Sequence, residues 1–294
     1  MAEHKHVFTS EGLTCSGSLF LPVNEQPPVV ILGQGFGAER TFGTGGFVKA
    51  FVEAGWAVFS FDYRSFGDSE GRPRQLVNPH HHCEDWYNVV QYVRSLQNID
   101  NQKVVLWGSS FAGGHVLVTA ARVSGLAGVI AQVPFCSSRS TAKNTTIAKT
   151  IKSVAHACLD GLLSLIGSEH RIALVAKPGT DFAVMDAPGW YEDYIKLTEG
   201  SSSWVNSMPA RGLFAIANYN PIDTADKITC PVLIINGARD QGVPATEVRA
   251  TAARIANCKQ VELDFDHFDL YEGFKLHAEA TRLQVEFLRE IAGE

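Results

Sequence analysis

The stretch that most constrains the fold of this 294-residue chain is VVLWGSSFAGGH, which runs from Val104 to His115. Apolar residues lead into a turn in which Gly108 and Ala112 stand two positions on either side of Ser110. This pattern predicts a buried strand that turns sharply into a helix, with Ser110 at the corner. Small residues are needed on both sides because the backbones at such a corner approach too closely for larger side chains. The Ser110 hydroxyl is therefore expected beside a helix N-terminus, where negative charge is favoured.

A serine hydroxyl becomes a nucleophile only when a base accepts its proton and a carboxylate orients that base. Downstream, the apolar run 231–236 predicts a buried strand, followed by a Gly- and Pro-rich loop that contains Asp240. A last short strand is predicted near 259–264, just before His267. The chain order Ser110, Asp240, His267 is the order of one large hydrolase architecture and not of the other well-known serine-triad folds.

The carboxylates next to His267 are rival candidates for its orientation, namely Asp264, Asp266 and Asp269. Residues so close along the chain rarely reach the imidazole Nδ1 in the required direction, so Asp240 is the predicted partner. Two other tempting residues are interpreted structurally. His115 is expected to pack near the core, and Arg64 is expected to form a structural ion pair.

Two upstream blocks extend the pattern to most of the chain. The segment PVVILGQGFG (28–37) resembles the strand and glycine-rich loop that carry the first oxyanion-hole amide in α/β-hydrolases, with Gln34 where relatives usually have His. The segment WAVFSFDYRSFGDSEG (56–71) resembles the Asp-x-Arg-x-x-Gly-x-Ser-x-Gly strand and turn of the same superfamily. The chain thus resembles a serine hydrolase of the α/β-hydrolase superfamily, close to dienelactone-hydrolase-like and polyketide-processing members. The resemblance implies that the backbone N–H groups of Phe36 and Phe111 form the oxyanion hole.

The order of the elements predicts an α/β fold with a mostly parallel central sheet and helices on both faces. A β-hairpin is predicted over 5–22, with strands near 28–33, 56–61, 103–108, 127–133, 231–236 and 259–264. Helices are predicted near 43–54, 81–97, 110–123, 244–256 and 274–291. In such a sheet the site lies at the carboxyl ends of the strands, where Ser110, Asp240 and His267 are all expected.

One interruption divides the chain into a core domain, 1–135 and 221–294, and an insertion, 136–220. Helical spacing of apolar residues from Ile147 to Ile166 predicts a long helix within the insertion. An aromatic stretch follows it. We expect a helical cap over the site, because pockets in such folds gather at the strand ends. An ornament packed on the sheet edge is the alternative.

Composition excludes several classes of protein. The chain is 45% hydrophobic and 19% charged, which describes a globular protein with a large core. Its formal net charge of −6 argues against a nucleic-acid or anionic-membrane partner. The N-terminus lacks the apolar region of a secretory signal and no apolar run is long enough to span a bilayer, so a cytoplasmic location is expected.

No cofactor or metal is expected. The six cysteines are scattered without a C-x-x-C pair, so they indicate neither disulfides nor zinc. His80, His81 and His82 diverge in direction on a helix, and a solvated helix start is expected there rather than a metal site. Homo-oligomerisation is left open.

These observations predict a serine-dependent hydrolase in which Ser110 attacks a carbonyl, His267 transfers the proton and Asp240 orients His267. Expected substrates are small esters, thioesters or lactones with a hydrophobic acyl part. An acyltransferase or lactone-forming cyclase with the same acyl-enzyme stays open as an alternative. A non-catalytic small-molecule receptor on the same fold is a further alternative.

Overall fold

The computed structural model describes residues 3–199, 201 and 203–293. The main sheet of this part has eight strands. In spatial order these are β1 (Glu3–Ser10), β2 (Leu13–Phe20), β4 (Ala57–Phe61), β3 (Pro28–Gly33), β5 (Asp100–Ser109), β6 (Gly128–Gln132), β10 (Val232–Gly237) and β11 (Cys258–Leu263). The β1–β2 and β2–β4 pairs are antiparallel and the other neighbours are parallel, which confirms the predicted mostly parallel sheet.

Helices cover both faces of this sheet. They are α1 (Gly45–Glu53), α2 (Pro79–Ser95), α3 (Phe111–Arg122), α8 (Ala245–Ala252) and α9 (His277–Ala292). Alternate residues of β3 enter different cores, because successive side chains of a strand point to opposite faces. Ile31 packs with Trp86 of α2 and Val116 of α3, whereas Leu32 packs with Phe47 of α1 and Leu288 of α9.

The predicted elements of the core correspond to observed ones, with ends displaced by a few residues. The central strands are buried on both faces, which is why they appear in the sequence as continuous apolar runs rather than as alternating patterns. The turn of the predicted hairpin uses Glu11 and Gly12, both with positive φ.

The segment 136–220 contains seven elements: α4 (Ser138–Asn144), α5 (Ile147–Ser164), β7 (Arg171–Val175), β8 (Ala183–Met185), α6 (Trp190–Leu197), β9 (Met208–Pro209) and α7 (Gly212–Ala217). The long helix predicted from Ile147 is confirmed as α5. Besides its helices, the segment contains a small sheet formed by β8, β7 and β9, which was not predicted. Its strands are two to five residues long, too short for their alternation to stand out in the sequence.

A third apolar cluster joins this segment to the core. Trp190, Tyr194 and Leu197 of α6 pack against Phe42 and Phe268, which lie in loops at the carboxyl end of the main sheet. The segment therefore contacts the edge of the sheet at which the site was predicted. None of the helices within the described ranges combines the length and the apolarity needed to cross a membrane.

Candidate active site

Ser110 lies at a strained corner between β5 and α3. Its backbone has φ of 58° and ψ of −120°, a conformation that residues other than glycine rarely adopt. Two hydrogen bonds of 2.8 Å hold it: Ser110 N–H donates to the Gln132 carbonyl, and Phe135 N–H donates to the Ser110 carbonyl. A Cβ at Gly108 would lie 2.3 Å from the Ala112 carbonyl oxygen, so the predicted need for a small residue is confirmed there.

The structure brings Ser110, His267 and Asp240 together. His267 Nε2 lies 2.8 Å from Ser110 Oγ, and His267 Nδ1 lies 2.6 Å from Asp240 Oδ2. The side chains of His267 and Asp240 are only 3% and 1% exposed. The three residues follow β5, β10 and β11, whose carboxyl ends meet at one edge because the strands are parallel.

Asp240 is held in place by its own loop. Its Oδ1 accepts the backbone N–H groups of Gly242 (2.9 Å) and Val243 (2.8 Å), which leaves Oδ2 for the imidazole. The three rival carboxylates have other partners: Asp264 pairs with Arg239, Asp266 with Gln241 and Asp269 with Lys275. An imidazole with a carboxylate on Nδ1 and a hydroxyl on Nε2 is arranged to accept a proton from that hydroxyl.

Residues 34–39, here called the Gly35 loop, lie against the Ser110 side chain. A Cβ at Gly35 would be 3.0 Å from Ser110 Cβ and 3.5 Å from its Oγ. Within the described ranges, the backbone N–H groups of Phe36 and Phe111 have no hydrogen-bond acceptor. Gln34 is buried and its side-chain amide donates to the Phe42 carbonyl, which ties the start of the loop to the segment that follows it.

Four hydrogen bonds between described residues, here called the latch, join the Gly35 loop to the segment 136–220. They run from Tyr194 Oη to the Phe36 carbonyl (2.7 Å), from Trp204 Nε1 to the Gly37 carbonyl (2.9 Å), and from the Ser201 and Ser203 hydroxyls to the Glu39 carboxylate (2.7 Å each). Burial holds the pKa of Tyr194 well above its usual range, so this phenol stays protonated and donates. The bond from Tyr194 fixes the Phe36–Gly37 peptide plane, which adjoins the plane that carries the Phe36 N–H.

Trp190, the first residue of α6, covers the imidazole of His267. The ring centroids are 4.9 Å apart with an interplanar angle of 31°. Phe268 packs edge-on against both rings. Its ring centroid lies 5.4 Å from that of Trp190 and 5.1 Å from that of His267. A Cβ at Gly242 would lie 2.0 Å from the indole, so only glycine leaves room for Trp190 in this position.

The cavity beside Ser110 is small. Its volume is about 20 Å³, enough for about one water molecule. Its walls are largely apolar and include Met185 and Leu197 from the segment 136–220 and Phe268 from the core. A molecule larger than water therefore fits only if part of this wall moves.

A chain of buried hydrogen bonds beneath Ser110 was not foreseen from the sequence. It links Tyr271 to Ser109, Ser109 to Gln132, Gln132 to Gln284 and Gln284 to Trp107, with distances of 2.6, 3.1, 2.8 and 2.7 Å. Gln132 gave the one available signal, a polar residue in an otherwise apolar strand. The chain ties α9 and the loop after β11 to the two strands that hold the Ser110 corner.

The histidines of α2 correct one expectation. His80 and His81 are exposed, as predicted for a helix start, but His82 is buried and stacks on Tyr63 with ring centroids 4.2 Å apart. The reason is that His82 faces α3, where its Nδ1 lies 3.3 Å from Nε2 of His115. Within the described part of the chain, no group of three or more His, Cys, Asp or Glu side chains is placed to hold a metal ion.

Two structural expectations hold. His115 is fully buried, and that burial lowers its pKa to about 3, so it is neutral in the folded protein. Arg64 forms an ion pair of 2.7 Å with Asp85, and both side chains are largely buried. Neither residue lines the cavity at Ser110.

Comparisons with known proteins agree with this fold. A family model described as the alpha/beta hydrolase fold matches residues 27–274. The chain is 35% identical over 285 residues to the quorum-quenching protein AidA of Acinetobacter baumannii, which covers 97% of this chain and 93% of AidA. It is 24% identical over 296 residues to the polyketide transferase af380 of Aspergillus fumigatus, covering 96% of each. Among solved structures, the alpha/beta hydrolase GrgF from Penicillium sp. superposes with a TM-score of 0.85 at 20% identity, over 100% of both chains.

Proposed function

The chain belongs to the α/β-hydrolase family, and from that premise we propose that it is a serine hydrolase of small esters, thioesters or lactones. The observation that carries the proposal is the pair of contacts at His267, 2.8 Å to Ser110 Oγ and 2.6 Å to Asp240 Oδ2. A structural serine at a strand end needs neither contact, whereas a nucleophile needs both.

In the proposed reaction, Ser110 Oγ attacks the substrate carbonyl while His267 Nε2 accepts the hydroxyl proton. The resulting imidazolium is stabilised by Asp240 and gives its proton to the leaving alcohol, thiol or ring oxygen, leaving an acyl-enzyme. Water then attacks the acyl carbonyl, again with His267 as base. The backbone N–H groups of Phe36 and Phe111 hold the oxyanion in both steps, which matches their position beside Ser110 and their lack of other acceptors within the described residues.

The apolar walls of the cavity favour an uncharged substrate with a hydrophobic acyl part. The 35% identity with a quorum-quenching protein supports a small molecule rather than a polymer as the substrate. The segment 136–220 acts in this proposal as a cap, because it supplies Met185 and Leu197 to the cavity wall and binds the Gly35 loop through the latch. Opening of the cap admits the substrate.

Acyl transfer is the second candidate, and the full-length similarity to a polyketide transferase is the observation that favours it. It shares the acyl-Ser110 intermediate and differs only in the acceptor, which would be an alcohol, amine, thiol or internal hydroxyl in place of water. A closed, apolar site limits access of water to the intermediate. The two candidates are therefore separated by their products and not by the first half-reaction.

The proposal is tested by labelling with a fluorophosphonate and locating the adduct by peptide mass spectrometry. We expect one adduct, on the peptide that contains Ser110. The adduct should be lost in Ser110→Ala. It should be retained in the matched variant Ser109→Ala, because the Ser109 hydroxyl bonds to Tyr271 and not to His267. A chain that binds its ligand without catalysis would give no adduct. Unchanged labelling in Ser110→Ala would refute the assignment of the nucleophile.

The acceptor is tested with p-nitrophenyl esters of graded length, together with acyl-CoA thioesters and lactones. We expect free acid as the main product even with millimolar alcohols or thiols present, as judged by mass spectrometry. If ester, amide or lactone products dominate over free acid in water, the hydrolase proposal is wrong and the transferase or cyclase takes its place.

A further inference from the structure

Helix α5 and the two residues that follow it carry most of the large exposed apolar side chains of the described ranges. Seven residues on or just beyond this helix are 44–82% exposed, namely Ile147, Ile151, Val154, Leu159, Leu162, Leu165 and Ile166. Together they present on the order of 900 Å² of surface, more than the roughly 300–600 Å² of the largest apolar patch on a typical monomer. A patch of that size indicates an interaction surface.

The inner side of α5 is already occupied. Ala157 and Asp160 are buried, and Asp160 accepts the backbone N–H of His170 and pairs with Arg211. These contacts set the rotation of the helix and direct the apolar stripe outward. The stripe is thus a consequence of how α5 packs on the rest of the chain.

The spacing of the stripe is that of a helix that pairs with another helix. Ile147, Ile151, Val154, Cys158 and Leu165 occupy alternate steps of four and three residues, the a and d positions of a heptad pattern. The one position in this series without a side chain is 161, which is Gly161. A Cβ there would meet no atom within 4 Å, so the position is an open notch in the stripe.

The stripe is also symmetric about position 156. Positions 147 and 165 lie equally far from it, as do 154 and 158, and Ile151 is balanced by the Gly161 notch. In an antiparallel pair of identical helices that cross at position 156, each of these residues faces its counterpart on the other helix. We propose that two copies of this chain form a two-fold symmetric dimer through antiparallel α5 helices, with Ile151 of each copy seated in the Gly161 notch of the other.

A second copy fits this surface better than a membrane does. The exposed area matches the approximately 800 Å² per partner of a stable interface. The net charge of −6 disfavours an anionic lipid surface. A two-fold pair also closes on itself and leaves no stripe exposed.

The dimer is tested by light scattering coupled to size exclusion. We expect the wild type at micromolar concentration to have twice the 32.0 kDa mass of the chain. The variant Ile151→Glu/Leu162→Glu buries unpaired carboxylates in the interface and should raise the dissociation constant about 1,000-fold or more. The control Val23→Glu changes a fully exposed residue outside α5 and should stay dimeric. Circular dichroism checks that each variant is folded.

The antiparallel register is tested by oxidation and non-reducing electrophoresis. Val154 of one copy faces the native Cys158 of the other, so Val154→Cys should form a cross-linked dimer. Val154→Cys/Cys158→Ser should not, and neither should the wild type. Cross-linking of the wild type through Cys158 would indicate parallel helices and overturn the arrangement.

The proposed dimer is independent of the proposed function. A monomeric wild type across the micromolar range would overturn it, as would a Ile151→Glu/Leu162→Glu variant that keeps the dimer mass. Binding of a monomeric wild type to phosphatidylcholine vesicles would assign the stripe to a lipid surface instead.

Discussion

Removing one hydroxyl from the latch should slow catalysis without touching the reacting atoms. The phenol of Tyr194 donates to the Phe36 carbonyl at 2.7 Å, and the backbone N–H of Phe36 is a proposed oxyanion donor. Tyr194→Phe deletes this hydrogen bond and keeps the ring, which packs against Trp204 and Phe268. The variant thus releases the Gly35 loop at one point while preserving the apolar packing around it.

The magnitude follows from the buried carbonyl that is left without its donor. An unsatisfied buried acceptor costs about 1–3 kcal/mol. If that cost falls on the loop conformation that aims the Phe36 N–H at Ser110, the productive conformation becomes about 5–150-fold less populated. Most of this range lies below the roughly 10²–10³-fold fall in kcat when an oxyanion donor is removed outright.

Steady-state kinetics on a p-nitrophenyl ester measure the effect. We expect kcat to fall in Tyr194→Phe with little change in KM, because the N–H group acts on the charge that develops in the transition state. The matched control is Tyr92→Phe, which removes a phenol that hydrogen-bonds His6 at 2.8 Å, far from the cavity. It should leave kcat unchanged.

Denaturant unfolding of both variants separates a local effect from a general loss of stability. A kcat of Tyr194→Phe within twofold of the wild type would refute the role of the latch in catalysis. An equal fall in kcat in Tyr92→Phe would attribute the loss to reduced stability of the whole protein.

Three further predictions concern other residues. Gln34→Ala frees the Gly35 loop from the Phe42 carbonyl and should lower kcat by about 10²-fold at most. Gln34→His should be tolerated. An unchanged kcat in Gln34→Ala would show that the side chain does not support the loop. The pKa of His115 is about 3 in the folded state against 6.5 when unfolded, so the unfolded chain binds more protons between these values. The free energy of unfolding should therefore be unaffected by His115 above pH 6.5 and should fall by about 1.4 kcal/mol per pH unit below it. Replacing it in His115→Gln should flatten the dependence of unfolding free energy on pH between 6 and 4, and equal slopes would contradict this. Trp190→Leu removes the ring beside the His267 imidazolium, an interaction worth about 0.5–2 kcal/mol, and should lower kcat about 2–30-fold. Trp190→Phe should retain part of the stabilisation. Equal kcat values in the wild type and both variants would exclude a role for the ring.

The parts of the molecule that the sequence predicts are those fixed by local pattern and by sheet topology. Apolar runs define the buried strands, and a parallel sheet puts the ends of β5, β10 and β11 at one edge. Ser110 and His267 are 157 positions apart, yet topology alone makes them neighbours. Asp240 could be preferred over its rivals because carboxylates within three residues of His267 rarely reach its Nδ1 in the required direction.

The parts that the sequence misses depend on contacts between distant segments with no pattern of their own. Tyr194 and Trp204 are visible as aromatics, but nothing local shows that their polar atoms bond to carbonyls near position 36. His82 was misjudged because its neighbours are solvated, and only the packing of α2 on α3 buries it. The strands of the small sheet could not be predicted for a related reason. Each is too short to show an alternating pattern and is recognised only by its pairing with a neighbouring strand.

One donor of the latch, Tyr194, and one residue of the cavity wall, Leu197, lie on the same helix, α6. A ligand site for a small molecule typically has about 300–1,000 Å³, whereas the cavity at Ser110 has about 20 Å³. Leu197, part of its wall, follows Tyr194 by one helical turn in α6. Displacing α6 to admit a substrate therefore also strains the bond from Tyr194 to the Phe36 carbonyl. We expect the oxyanion donors to be in place only after the cap has closed over an acyl group, so that an open site exposes Ser110 without the means to stabilise the charge it would create.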